Sequence, residues 1–127
     1  MSPKKRETVP QVLKLSLDAS AQNLIEATFN PVVAVRTEEA KQHDFNYPLG
    51  VYTKWRGRYF YFCAKYRERR EGDFFEVQTT RLEYAGGGRF HLAYKRHTDQ
   101  WCEVFSGLTV EACLDTIESM ELFWPVH

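Results

Sequence analysis

Apolar and polar positions alternate most regularly between residues 51 and 105. Tyr59–Arg67 puts Tyr59, Tyr61, Cys63, Lys65 and Arg67 on one face and Phe60, Phe62, Ala64 and Tyr66 on the other, the period of two that marks a strand buried on one side. Around it the same pattern predicts strands at Val51–Trp55, Phe74–Tyr84, Arg89–Lys95 and Trp101–Phe105. The connections have turn chemistry: Arg56-Gly57-Arg58, the charged run 68–73, Ala85-Gly86-Gly87-Gly88 and His97–Gln100. The glycines of the third connection can take the positive φ that a tight hairpin demands. Connections this short between strands imply an antiparallel meander.

The ends of the chain read differently. After Ser106-Gly107, Thr109 is placed to cap a helix whose stripe is Val110, Cys113, Leu114, Ile117 and Met120. The tail ELFWPVH should fold back, because Phe123 and Trp124 are costly to leave in water. Near the start, Leu13, Leu15 and Leu17 alternate with Lys14 and Ser16, which suggests a short extended segment. Asp18 or Ser20 can then cap a helix carrying Leu24, Ile25 and Phe29, which Asn30-Pro31 should break. Beyond it, Val32–Val35 fits either a second helix or a short strand, and residues 43–50 read as a loop. The fold class expected is a single α+β domain over residues 12–127. It is a four- to five-stranded antiparallel meander packed by a C-terminal helix, with one or two N-terminal helices, after a flexible arm over residues 1–11.

Composition changes this picture little. A 127-residue chain that is 43% hydrophobic and 15% aromatic can bury a core without disulfides or metals. Cys63, Cys102 and Cys113 are odd in number and lack CxxC spacing, so they read as reduced structural thiols in a cytoplasmic protein. No secretory h-region or membrane-length apolar run occurs, so no membrane partner is expected.

Charge changes it more. The formal net charge is zero, yet residues 54–96 hold eleven Lys/Arg against five Asp/Glu, and residues 97–127 hold six acids and no Lys or Arg. The positive half is also the aromatic half. Lys54–Arg70 packs seven basic residues and six aromatics into seventeen positions. Interleaved rings and cations on an open sheet can stack bases and neutralise phosphates; they can also pack across strands while the cations snorkel.

Other constellations support no chemistry. Arg96-His97-Thr98-Asp99 places a base, a hydroxyl and a carboxylate in one turn, but neighbouring strand residues point to opposite faces, so no triad is preassembled. The histidines and cysteines lack zinc spacing. The acidic residues from Glu111 to Glu121 read as the solvent face of the last helix, or as a surface for a basic protein partner. Gly86–Gly88 leads from strand to strand, which excludes a phosphate-binding loop. Trp101 and Trp124 read as packing anchors, and Trp55, between Lys54 and Arg56, as the exception that could meet a ligand.

The strings KWRGRYFYFCAKYR, RFHLAYKRHTDQW and FWP resemble segments of small uncharacterised bacterial proteins, over residues 51–125. The order of four strands and then a helix resembles, in architecture alone, the Pur, Whirly and PC4-like single-stranded nucleic-acid binders. That resemblance implies a dimer paired through the helix and transfers no residue role. The reading that follows is a non-enzymatic accessory protein, without cofactor or metal, that binds nucleic acid, single-stranded rather than duplex. Lys54, Arg56, Arg58, Lys65, Arg67, Arg89, Lys95 and Arg96 would meet phosphates, and Trp55, Tyr59 and Tyr61 would stack bases. The alternative is a protein-partner module, such as an inhibitor, immunity-type or adaptor protein, or a homodimeric structural protein.

Overall fold

The computed structural model describes residues 7–43, 46–68 and 73–127. Five strands, β1 (Tyr47–Arg56), β2 (Tyr59–Arg67), β3 (Phe74–Gly86), β4 (Arg89–Lys95) and β5 (Trp101–Leu108), form one antiparallel sheet in the order β1-β2-β3-β4-β5. Helical segments pack on one of its faces: α1 (Gln11–Leu24), a π-helical turn (Ile25–Phe29), α2 (Asn30–His43), α3 (Val110–Ser119) and a 3-10 turn (Glu121–Phe123). The α+β meander is therefore present, and β2 and β4 have the limits that the alternation predicts. None of the described helices is long and apolar enough to cross a membrane.

Two turns show why the register holds. Gly57 at φ +61° begins the two-residue β1–β2 turn, and Gly87 (φ +59°) and Gly88 (φ +75°) form the β3–β4 turn. Both positions need the left-handed region that only glycine enters freely. With these turns set, one row of partners, Trp55, Phe60, Leu82, Leu92 and Phe105, runs across all five strands on the helix side.

The core fills the space above that row. Phe60, Phe62, Leu82, Phe90 and Leu92 meet Leu17 and Ala21 of α1, Phe29 of the π turn, and Cys113 and Ile117 of α3. The tail folds back as expected, with Phe123 and Val126 fully buried. Thr80, the buried polar residue of the core, donates from Oγ1 to the Phe123 carbonyl at 2.5 Å. Thr109 caps α3 by accepting the Ala112 N–H at 3.1 Å. Leu114 lies only half inside and Met120 is exposed, so the stripe of α3 is narrower than its sequence suggests.

The N-terminal third departs from expectation. Leu13–Leu17 belongs to α1 and is not extended. Leu17, Ala21 and Leu24 make its buried stripe while Leu15 is 60% exposed, so the alternation of three leucines coincides with a helical i, i+4 pair. Asp18 and Ser20 fall inside the helix and cap nothing. Asn30-Pro31 does not end the helical run, because the turn before it widens: the Asn30 N–H donates to the Ile25 carbonyl, five residues back. A π turn relieves the clash and the missing donor that a proline imposes on a regular helix. The open choice over Val32–Val35 resolves as helix. β1 begins at Tyr47, inside the expected loop, with a bulge between Pro48 and Gly50. Of the arm expected over residues 1–11, residues 1–6 lie outside the described residues. Val9 joins the core, and the Glu7 carboxylate accepts from the Tyr84 hydroxyl and the Gly87 N–H, both at 3.1 Å.

Candidate nucleic-acid interface

The face of the sheet away from the helices is covered by no described helix, and strand pairing decides who meets on it. Its central row is Lys54, Tyr61, Arg81, Ala93 and Glu103, one residue from each strand. The next row towards the β1–β2 turn is Arg56, Tyr59, Glu83 and His91. On the other side Tyr52, Cys63 and Gln78 line up on β1 to β3, and Lys95 pairs with Trp101 on β4 and β5. Beyond these stand Lys65 opposite Glu76, then Arg67 opposite Phe74, and Arg89 opposite Gly86. Seven cations therefore share this face with the three carboxylates Glu76, Glu83 and Glu103.

Some of that charge is already spent within the fold. Lys54 Nζ lies 2.6 Å from Glu76 and Lys95 Nζ 3.9 Å from Asp99. The hydrogen bond from Lys54, then that from the Tyr52 hydroxyl, hold the Glu76 carboxyl below its ordinary value. Burial, then the bond to Glu76, push the Tyr52 hydroxyl up. Lys65 lies 4.5 Å from the centre of the Phe74 ring, while Arg56 is exposed. Among the described residues, neither Arg56 nor Lys65 has a carboxylate within 4.0 Å.

The rings are arranged as a cluster. Tyr59 and Tyr61 lie 6.2 Å apart, and Tyr61 lies 5.7 Å from Trp101. Arg81 bridges them, its guanidinium 5.0 Å from Tyr59 and 4.8 Å from Trp101. Tyr61 is 8% exposed and Cys63 fully buried, although no described helix lies above them. Burial pushes the Cys63 thiol up to about 12, and burial does the same to Cys113 on the helix side.

Of the eleven residues expected to form the site, eight share this face: Lys54, Arg56, Tyr59, Tyr61, Lys65, Arg67, Arg89 and Lys95. Three do not. Trp55 pairs with Phe60 on the helix side, donates from its indole to Asp18 at 2.9 Å and lies beneath Lys14. One residue's step along a strand reverses the face, so Trp55 cannot stack beside Tyr61. Arg58 lies in the β1–β2 turn, and its Nε donates to the Tyr84 carbonyl at 3.0 Å. Arg96 follows β4 in a turn closed by its own N–H to the Gln100 carbonyl, on the rim of a shallow concavity shared with Tyr94, His97, Leu122 and His127. Arg89 keeps its place on the face, but one of its donors goes to the Gly107 carbonyl at 3.2 Å.

Two residues absent from the expected site join its ring cluster, Arg81 from the middle strand and Trp101 from the edge strand β5. Arg81 is legible as a cation in the polar phase of β3, between Thr80 and Leu82; its ring partners depend on strand order. His91 is hydrogen-bonded, its Nδ1 accepting the Gly107 N–H at 3.2 Å. Among the described residues, no group of three or more His, Cys, Asp or Glu side chains converges to hold a metal ion. On the helix side, an open groove of about 520 Å³ lies between α2 and the tail, lined by Pro31, Val32, Val35, Arg36 and Trp124.

Comparison with curated proteins and with solved structures finds no match, and nothing links the chain to the Pur, Whirly or PC4-like binders. The match to a family model, by contrast, spans nearly the whole described fold, from Val9 in the core to Pro125 in the tail. Over residues 9–125 the chain matches the domain of unknown function DUF3024, and it belongs to that family.

Proposed function

We propose that this protein is a non-enzymatic, cytoplasmic accessory factor whose open sheet face binds single-stranded nucleic acid. One observation carries the reading: seven cations and the rings of Tyr52, Tyr59, Tyr61 and Trp101 share a sheet face that no described helix covers. A flat surface of this kind suits a flexible strand, whose phosphates can follow the cations along it. A rigid duplex offers phosphate ridges around a groove, and no described helix lies on this face to enter one. The acidic side of α3 lies across the molecule and would orient the approach of a polyanion towards the sheet.

The test is fluorescence polarisation with labelled single-stranded DNA, single-stranded RNA and duplex over a salt series. Binding should favour the single strands and fall with salt, each neutralised phosphate contributing a log–log slope of about −0.7. Replacing Arg56 and Lys65 together by Ala should lower that slope by roughly two contacts and leave the melting temperature unchanged, since neither has an ion pair among the described residues. Absence of binding to any of the three probes at low micromolar protein and low salt would overturn the reading.

A further inference from the structure

Arg81 is held differently from the other cations of the open face. It stands on β3, the middle strand, opposite Tyr61 and Ala93. Ala93 is short and buried, which lets Trp101 reach over from β5 towards both Tyr61 and Arg81. The guanidinium is thereby held by rings from two sides, Tyr59 and Trp101. Its Nε is buried without a hydrogen-bond partner, and among the described residues no carboxylate lies within 4.0 Å of it. Aromatic faces attract a cation but accept no N–H in the way an oxygen does. A guanidinium with its plane already fixed, short of oxygen acceptors and short of a counter-charge, is prepared for an oxyanion. Lys95 lies 5.8 Å from the same indole, with its charge shared with Asp99 at 3.9 Å.

We propose that Arg81 is the phosphodiester anchor of the open face, and that Tyr59 and Trp101 are positioning residues for its guanidinium and not platforms for bases. The assignment rests on the nucleic-acid reading above and sharpens it. Rings already occupied by a guanidinium have less face to offer a base, so recognition follows the backbone.

Two experiments test it. The first needs no variant: an oligothymidylate and an abasic oligomer of the same length are compared by polarisation. The abasic strand should bind within about threefold of the thymidylate, because most of the affinity is carried by phosphate contacts. The second is a double-mutant cycle. Arg81→Gln should weaken binding about ten- to a hundredfold, as expected for loss of a charge-assisted bond, and lower the salt slope by about 0.7. Arg81→Lys should recover the slope but not the full affinity, since it restores charge without the planar fork. Tyr59→Leu should weaken the wild type but add little to Arg81→Gln, because it acts through that residue. If the thymidylate binds and the abasic strand does not, or if Tyr59→Leu and Arg81→Gln add fully, the anchor assignment falls while the interface reading stands. If neither strand binds the wild type, the interface reading falls with it.

Discussion

The two faces of this sheet are drawn from alternate residues of the same strands, yet they are closed by different forces. On the helix side, Phe60, Phe62, Leu82 and Leu92 are removed from water by α1, the π turn and α3. On the other side Tyr59, Tyr61, Arg81 and Trp101 shield one another. The first face is sealed by the hydrophobic effect, which is non-directional and scales with buried area. The second is sealed by ring–ring and cation–ring contacts, each worth about 0.5–1.5 kcal/mol and dependent on geometry. An antiparallel sheet can leave one face to water, and here the uncovered face is the one that carries the cations.

The comparison can be tested from its largest expected difference downward. Thiol labelling comes first. Cys113 lies on the buried side of α3 and Cys63 lies on the open face, but both are buried with thiols raised to about 12, whereas Cys102 is partly exposed. At pH 8 about one thiol in ten thousand would be ionised at either buried position. In native protein Cys102 should therefore react with a thiol reagent at least about a hundredfold faster than the other two. Rapid labelling of Cys63 would show that the open face does not seal itself.

Adjacent residues on β2 give the next contrast. Phe62 is fully buried, with Phe29 and Phe60 edge-on to it at 6.4 and 5.7 Å. Phe62→Ala should cost about 3–5 kcal/mol in urea unfolding. Tyr61→Ala removes a cross-strand ring and should cost on the order of 1–2 kcal/mol. Equal losses would mean that the open face contributes to stability as a second core.

The smallest effect concerns the Lys54–Glu76 pair. The folded carboxyl of Glu76 is held below its ordinary value, so its contribution is present above the unfolded pKa and lost as pH falls through the folded one. Both side chains are more than a third exposed, which limits the pair to less than about 1 kcal/mol. Between pH 7 and pH 3 the wild type should lose slightly more melting temperature than Glu76→Gln. An equal loss in both would show that the pair carries no acid sensitivity.

Much of this molecule is legible in its sequence. The limits of β2 and β4, the glycine turn between β3 and β4, the Thr109 cap and the return of Phe123 all follow from alternation, turn chemistry and the cost of exposing rings. These are local properties, settled within a few residues. The first helix is ambiguous for a related reason: three leucines at i, i+2 and i+4 satisfy both periods, and only the exposure of Leu15 separates them. Asn30-Pro31 is a helix breaker by local rules, and a π turn one step upstream removes the conflict.

The candidate site divides along the same line. Sequence alone determined that cations and rings alternate on β2 and that the positive charge lies in the strand-forming half. It put Trp55 ahead of Trp101 as a ligand platform, because Trp55 sits between Lys54 and Arg56 while Trp101 sits between Gln100 and Cys102. Strand pairing separates them, sending Trp55 to Asp18 and α1 and bringing Trp101 across Ala93 to Arg81. Those contacts join residues 37 positions apart in one case and 20 in the other. Local patterning decides which face a residue occupies; only the order and register of the strands decide who shares that face with it.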